Sequence, residues 1–246
     1  MRKIAGLNVI VTGASGGIGS CVCRRLAERG ANLALASNDA DALTALTSEL
    51  TAQINEPTAK LTANTEIISG VVDVRFEADV ESFIHRAVER FGAPDCLLNL
   101  AGLSIPTKIA ELNVADYELM LDVNLKGSLL ASKYFARAVD SERGGLIVNI
   151  GSMAAKRANA NAPLYCTAKA AVNMLSAGMQ QQFREQNIRV TTLNPGGADT
   201  PFWGNRPVNR AKLLRPDDIA DVIVFVLECD SRIAFSELNF ESFLSL

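Results

Sequence analysis

A glycine-rich turn between an apolar strand and a helix constrains this chain more than any other feature. The segment from Leu7 to Val11 is apolar and rich in Val and Ile, and it continues directly into the sequence TGASGGIG at 12–19. An unbroken apolar run of this kind is typical of a strand covered on both faces. The next segment, Cys21 to Arg29, has the pattern of a helix that ends at Gly30. The sequence therefore predicts a strand, a tight turn and a helix in immediate succession.

This turn provides what a phosphate group requires. Glycines let the backbone approach a pyrophosphate closely, and the start of a helix offers free N–H groups and the positive end of the helix dipole. A plain tight turn would also use these residues. However, glycine occupies four of the seven positions from Gly13 to Gly19, and this density favours nucleotide binding.

Apolar segments alternate with helical patterns along the rest of the chain. Further strands are predicted at 32–36, 67–72, 96–100, 146–150, 188–193 and 233–240, the last at an edge of the sheet. Helices are predicted from Asp39 onward, at 77–91, at 116–139, from Pro163 onward and at 216–228. The polar segment 51–65, which contains Pro57, is interpreted as a helix end and an exposed loop. This alternation predicts an α/β fold, a single-domain doubly wound parallel sheet that is Rossmann-like, with about seven strands and helices on both faces.

Composition narrows the functional classes. The 246 residues suit one domain over 1–246, and a net charge of -3 gives no basic surface for nucleic acid or anionic membrane. No apolar run reaches the ~18 residues that span a bilayer, and no export signal is visible, so we expect a cytoplasmic protein with a small-molecule partner. Five cysteines without Cys-x-x-Cys spacing argue against a disulfide framework or a metal site. With His85 as the only histidine, a Ser-His-Asp hydrolase is excluded.

Tyr165 and Lys169 stand at positions i and i+4 of the helix that begins at Pro163. This spacing places a phenol and an ammonium on one helix face, where the cation favours the phenolate. Free tyrosine titrates near ~10, so a nearby cation would bring the phenol closer to acid/base chemistry at neutral pH. Taken alone, the spacing more often reflects a solvated lysine beside a half-buried tyrosine.

Polar residues interrupt apolar segments at three further places. Asp73 follows the third strand, where a helix N-cap and a ligand contact are equally supported. Asn124 lies on an otherwise apolar helix, so it either satisfies a local backbone group or holds a water. Ser152 follows the fifth strand and is expected to face the same crevice as the glycine turn.

The order of these pieces resembles that of the short-chain dehydrogenase/reductase family over nearly the whole chain. The matching segments are TGASGGIG at 12–19, Asp73, NLAG at 99–102, Asn124, Ser152, YCTAK at 165–169 and NPGGADT at 194–200. Any one of them could arise by chance, whereas the ordered set is specific.

The resemblance implies roles for individual residues. Tyr165 would be the general acid/base, and Lys169 would lower its pKa and bind the nicotinamide ribose. Ser152 would orient the substrate oxygen, and Asn124 would hold a water that relays protons to Lys169. The other implied cofactor contacts follow the cofactor from pyrophosphate to carboxamide: Gly13, Ser15, Gly17, Ile18 and Gly19; Ser37 and Asn38; Asp73 and Val74 at the adenine; Asn99, Ala101 and Gly102 at the ribose; Pro195, Gly196, Ala198 and Thr200 at the carboxamide.

The implied activity is hydride transfer between a nicotinamide cofactor and a carbonyl or secondary alcohol. A non-catalytic NAD(P)-binding redox sensor on the same fold is the alternative. Ser37 and Asn38 stand where an acidic residue would bind the ribose hydroxyls, which favours NADP(H), but no basic residue marks a 2′-phosphate and NAD(H) stays open.

The implied substrate pocket comprises Met153, Ala154, Asn159, Asn161, Gly197, Phe202 and Trp203, covered by a short flap at about 201–214 with basic residues at 206, 210 and 212. A homodimer or homotetramer is implied through the helices that carry Asn124 and Tyr165. Two departures from the family pattern are Leu100, where a second asparagine is usual, and an end at 240–243 without the usual glycine-rich tail.

Overall fold

The fold is built on one seven-stranded parallel sheet. The computed structural model describes residues 2–55 and 65–245. Its strands are β1 (Asn8–Thr12), β2 (Asn32–Ser37), β3 (Ile67–Val71), β4 (Cys96–Asn99), β5 (Gly145–Ile150), β6 (Ile188–Pro195) and β7 (Glu237–Phe240). They lie in the order β3-β2-β1-β4-β5-β6-β7, and every neighbouring pair is parallel. The predicted doubly wound α/β sheet is therefore confirmed, with β7 at an edge but beginning at Glu237 rather than at 233.

Seven α-helices within the described ranges connect these strands. They are α1 (Gly17–Ala27), α2 (Ala40–Asn55), α3 (Glu77–Phe91), α4 (Val114–Leu121), α5 (Gly127–Ala138), α6 (Pro163–Gln182) and α7 (Pro216–Glu228). The predictions for 77–91 and 216–228 match α3 and α7. Helix α2 reaches Asn55, and the rest of the predicted loop with Pro57, at 56–64, lies outside the described residues. Among the helices that are described, none is long and apolar enough to cross a bilayer.

Hydrophobic cores lie on both faces of the sheet. Successive strand residues point to opposite faces, so Val9 and Val11 join the core formed with α1, α2 and α7, while Ile10 joins the core formed with α3, α5 and α6. Because helices cover both faces, the central strands are continuous apolar runs rather than alternating ones. These apolar runs are the pattern from which the strands were predicted.

One predicted helix differs from expectation. The segment predicted as a single helix at 116–139 consists of α4 and α5 joined by a π-helical turn at Asp122–Lys126. Such turns widen the helix and change the direction of the side chains they carry. Asn124 lies in this turn, and its Nδ2 donates hydrogen bonds to the carbonyls of Met120 (2.9 Å) and Leu103 (2.8 Å). The amide therefore does satisfy local backbone groups.

The glycine turn packs backbone against backbone. Gly13 has a φ of 69°, and a Cβ added there would lie 2.6 Å from the backbone nitrogen of Ala101, just beyond β4. A Cβ on Gly19 would lie 2.1 Å from the carbonyl oxygen of Gly13. These contacts bring the start of α1 directly against the carboxyl ends of β1 and β4, where no side chain fits.

We expect Gly19→Ala to lower the free energy of unfolding by about 1 to 3 kcal/mol, because the added methyl group must displace backbone atoms. The matched control is Gly178→Ala in α6, where an added Cβ meets nothing within 4 Å. That change should raise stability by about 0.5–1 kcal/mol, since alanine is the better helix former. Urea unfolding followed by circular dichroism measures both. Equal stability of Gly19→Ala and the parent would contradict the close packing of the turn.

Candidate active site

A cavity of about 690 Å³ opens where β1, β4, β5 and β6 end. Parallel strands place their carboxyl ends at the same edge of a sheet, so the segments that follow these strands converge there. The cavity is lined by the glycine turn, the segment after β5 that contains Ser152, the first turns of α6 and the segment after β6. The structure therefore brings together Ser152, Tyr165 and Lys169, as predicted.

Tyr165 lies one helical turn before Lys169 in α6, which begins with Pro163 in its first turn. The Nζ atom of Lys169 is 5.7 Å from the centre of the Tyr165 ring. Burial raises the pKa of Tyr165 to about 12, and this effect outweighs the opposing influence of the Ser152 hydroxyl and the Arg206 guanidinium. The predicted lowering of this pKa is thus not produced by the protein's own groups, because burial penalises the phenolate.

Lys169 is almost fully buried, with 2% of its surface exposed. Its Nζ donates a hydrogen bond of 2.9 Å to the carbonyl oxygen of Ile150, at the end of β5. Within the described residues no carboxylate shifts its pKa, and burial lowers the pKa of Lys169 to about 8. The ammonium is held by a backbone dipole rather than by an opposite charge.

Asn124 and Lys169 approach each other across Gly102. A Cβ on Gly102 would lie 2.9 Å from Asn124 Oδ1 and 3.3 Å from Lys169 Nζ. In the described part of the chain, Asn124 Oδ1 is buried and accepts no hydrogen bond. A buried acceptor beside a buried donor has the chemistry of a water-binding pair. The water relay through Asn124 stays a prediction, and the positions of Asn124 Oδ1 and Lys169 Nζ are compatible with it.

Ser152 is positioned by Asn194, a residue that was predicted only as part of the segment 194–200. The backbone N–H of Ser152 donates to Asn194 Oδ1 (3.0 Å), and the Ser152 Oγ accepts from the backbone N–H of Ala154 (3.0 Å). A Cβ on Gly151 would lie 2.0 Å from Asn194 Oδ1, so any larger residue there would displace the side chain of Asn194. The sequence feature that could have indicated this role of Asn194 is a polar residue near the end of a buried strand.

The predicted cofactor contacts divide into two groups. Those that line the cavity are Gly13, Gly17, Ile18, Gly19, Gly102, Tyr165, Lys169, Pro195, Gly196, Ala198 and Thr200. Those outside its walls are Ser15, Ser37, Asn38, Asp73, Val74, Asn99 and Ala101. The glycine turn fits a nicotinamide dinucleotide, because Gly13, Gly17 and Gly19 line the cavity without side chains at the start of α1, where free backbone N–H groups favour a pyrophosphate.

Ser37 and Asn38 end β2 beside the glycine turn. The hydroxyls of Ser15 and Ser37 share a hydrogen bond of 2.6 Å, and the Ser37 hydroxyl also accepts from the backbone N–H of Asp39 (3.2 Å). The Asp39 carboxylate accepts from the backbone N–H of Ala42 (2.9 Å) and so caps the start of α2. The end of β2 therefore presents hydroxyl and amide groups rather than a carboxylate.

Asp73 does not cap a helix. Its carboxylate pairs with Arg75 (2.5 Å) and accepts from the backbone N–H of that residue (3.0 Å), while α3 begins later with Phe76 at its N-cap. The hydrogen bonds from Arg75 lower the pKa of Asp73. The N-cap interpretation is wrong, and a contact with adenine would have to involve a carboxylate that Arg75 already holds.

The side chain of Asn99 points into the core rather than into the cavity. Its Nδ2 donates to Asn149 Oδ1 (2.8 Å) and to Ser132 Oγ (3.2 Å), and the residue is buried. The predicted contact with the ribose is therefore not available to this side chain. Leu100, the departure from the family pattern, lines the cavity instead.

The predicted substrate pocket lies at the other end of the cavity. Its walls include Met153, Ala154, Asn159, Gly197, Phe202 and Trp203, whereas Asn161 lines a neighbouring cavity of about 640 Å³. The rings of Tyr165 and Phe202 are 5.6 Å apart. Two residues that were not predicted as part of the site, Arg157 and Glu241, pair with each other at this end. Arg206 was predicted only as one of three basic residues in the flap.

Comparison with known proteins identifies the family. A family model described as short chain dehydrogenase matches residues 7–211. An uncharacterised oxidoreductase of Staphylococcus saprophyticus is 31% identical over 230 residues, which cover 94% of each chain. The chain belongs to the short-chain dehydrogenase family, as the resemblance implied.

Two solved structures show how far the similarity extends. An alcohol dehydrogenase from the archaeon Thermococcus sibiricus, complexed with 5-hydroxy-NADP, matches with a TM-score of 0.85 and 30% identity over 96% of this chain and 97% of that one. A serine dehydrogenase from Escherichia coli matches with a TM-score of 0.79 and 25% identity over 95% of this chain and 96% of that one. The similarity of the fold therefore extends over nearly the whole chain.

We expect Lys169→Met to raise the free energy of unfolding by about 1 to 3 kcal/mol at pH 7, because methionine fills a similar volume without a buried charge. Folding lowers the Lys169 pKa from 10.5 to about 8, so the folded protein binds fewer protons than the unfolded chain between these values. The gain should be complete below pH 8 and shrink as the pH rises toward 10.5.

Urea unfolding across this pH range measures the effect. Lys212→Met, at an exposed position in 201–214, is the control and should change stability little at any pH. A destabilised Lys169→Met variant, or a gain that does not depend on pH, would contradict the account of the buried ammonium.

Proposed function

We propose that this protein transfers a hydride between NADPH, preferred over NADH, and a carbonyl or secondary alcohol. The observation that carries the proposal is the convergence of Ser152, Tyr165 and Lys169 on one cavity that also contains the glycine turn. Similar proteins include an alcohol dehydrogenase and a serine dehydrogenase, which supports an alcohol or its carbonyl as the reacting group. Because the catalytic side chains are all present, nothing in the site favours the non-catalytic sensor.

In the reducing direction, a bound reduced nicotinamide supplies the hydride that forms the new C–H bond. Ser152 donates a hydrogen bond to the carbonyl oxygen and orients it toward Tyr165. Tyr165 gives its phenolic proton to the oxygen as the carbonyl π bond breaks, which completes the alcohol. Hydride and proton together balance the reduction, and the reverse steps oxidise an alcohol.

The raised pKa of Tyr165 suits the acid role. At neutral pH a phenol with a pKa near 12 is fully protonated, so it is ready to donate to a developing alkoxide. Its phenolate must then be re-protonated. Lys169, with a pKa of about 8, and the free acceptor of Asn124 provide groups through which a proton can return.

The preference for NADPH rests on the end of β2. Ser37 and Asn38 carry no charge, and the Asp39 carboxylate is directed to the backbone N–H of Ala42 at the start of α2, so a 2′-phosphate meets no carboxylate from Ser37 or Asn38. The neighbour complexed with 5-hydroxy-NADP supports this preference.

The remaining expectations belong to the same proposal. The chain acts as one domain over 1–246 in the cytoplasm, and the segment 201–214 closes over the substrate. The exposed Leu129 of α5 and Met174 of α6 support a homodimer or homotetramer through these helices.

Tyr165→Phe should reduce turnover by about 10²- to 10⁴-fold while leaving cofactor affinity unchanged, because only the transferable proton is lost. Turnover is followed as loss of the reduced nicotinamide absorbance at about 340 nm against a panel of ketones and aldehydes. The control is Tyr134→Phe, which removes a remote hydroxyl bonded to Glu77 and should leave turnover intact. A Tyr165→Phe variant as fast as the parent would refute the mechanism.

Asn38→Arg should raise the ratio of kcat/KM for NADPH over NADH by about tenfold, since an arginine there can pair with the 2′-phosphate. Asn38→Asp should reverse the preference by repulsion. Asn55→Arg, at the far end of α2, adds the same charge away from the site and should not change the ratio. If neither change at Asn38 altered the ratio, the 2′ position of the cofactor ribose would not lie beside Asn38.

A further inference from the structure

Arg206 occupies a fixed position at the substrate end of the cavity. Its guanidinium lies 5.0 Å from the ring centres of both Phe202 and Trp203. The Nε atom donates to the carbonyl oxygen of Trp203 (2.8 Å), and Nη2 donates to that of Phe202. Two rings and two carbonyls therefore hold the guanidinium plane, while Nη1 has no hydrogen-bond acceptor within the described residues.

The other cations around this end of the cavity are neutralised. Lys156 pairs with Glu237 (2.5 Å), Arg157 pairs with Glu241, and Arg210 pairs with Asp199. No carboxylate in the described ranges 2–55 and 65–245 pairs with Arg206. Among the basic side chains named here, Arg206 is thus the one that has no carboxylate partner in the part of the chain that the structure describes.

Arg206 also lies between two spaces. It lines both the main cavity, which contains Ser152 and Tyr165, and the neighbouring cavity of about 640 Å³. Phe202, under its guanidinium, contacts the Tyr165 ring at 5.6 Å between centres. Because Tyr165 and Arg206 both line the main cavity, with Phe202 in contact with each, a substrate whose carbonyl oxygen reaches Tyr165 can place its distal part against Arg206.

We propose that the substrate is an oxo acid or hydroxy acid whose carboxylate pairs with Arg206. This inference rests on the proposed function and specifies its substrate class. A guanidinium already held in one plane loses little freedom when it binds a planar carboxylate, and the aromatic rings exclude water from one side of the pair. Arg206 is then a specificity-determining residue, and the acid binds with its carbonyl toward Tyr165 and its carboxylate toward the flap.

The first test compares oxo acids of four to six carbons with their primary amides, which keep the size and remove the charge. For the acid that the parent enzyme converts fastest, kcat/KM should be at least about tenfold higher than for the matching amide. Arg206→Gln should lower this acid-to-amide ratio by about 10- to 100-fold, mainly through KM, and Arg206→Lys should restore part of it. Lys212→Gln removes a charge from the same segment outside both cavities and should leave the ratio unchanged.

The ratio separates recognition from a structural effect. If Arg206 only stabilised the flap, its replacement would slow acids and amides equally. If it held the cofactor, the variant would bind NADPH more weakly. Either result, or a parent enzyme that does not prefer acids, would overturn the proposal.

A second test needs no turnover. Trp203 is the only tryptophan of the chain and lies against Arg206, so its fluorescence reports on this position. Butyrate should change the emission of the parent saturably and that of Arg206→Gln not at all, while butyramide should change neither. If no compound turned over with either cofactor, the proposed function would fail, yet this titration would still decide whether Arg206 binds a carboxylate. Equal responses to butyrate and butyramide would reject the anion site.

Discussion

The burial of the Lys169 ammonium is the constraint on which the rest of the site depends. Its side-chain hydrogen bond within residues 2–55 and 65–245 runs to the Ile150 carbonyl, so β5 must end where α6 passes. Gly102 must lack a side chain for Asn124 and Lys169 to approach each other. The π turn is what directs Asn124 toward that point. Three distant segments of the chain are therefore arranged around one charge that the core would otherwise exclude.

Burial shifts the pKa values of Tyr165 and Lys169 in opposite directions. It disfavours the charged form of each, which raises the pKa of Tyr165 and lowers that of Lys169. With these pKa values, Tyr165 is a neutral phenol and Lys169 is an amine that can lose its proton, so the two side chains do not form a permanent phenolate–ammonium pair. The site holds one acid that keeps its proton and one cation that releases it readily.

The sequence contained most of the fold because its signals were local. Apolar strands covered on both faces and glycines whose Cβ atoms would collide with backbone are visible in any stretch of a few residues. The π turn was not visible, since the pattern at 116–139 has helical spacing throughout. The pairing of Asp73 with Arg75 and the inward orientation of Asn99 depend on which groups compete for a side chain in space. Arg206 could be distinguished from Arg210 only once their partners were known.

The ion pairs of Lys156 with Glu237 and of Arg157 with Glu241 link the segment after Ser152 to the last strand of the sheet. During synthesis on the ribosome, the segment that carries Ser152 emerges long before the acidic partners that anchor it. The same holds at the other end of the cavity, because α1, which follows the glycine turn, shares its core with α7 near the end of the chain. The order in which the chain leaves the ribosome therefore makes the completion of both ends of the cavity a late step in folding.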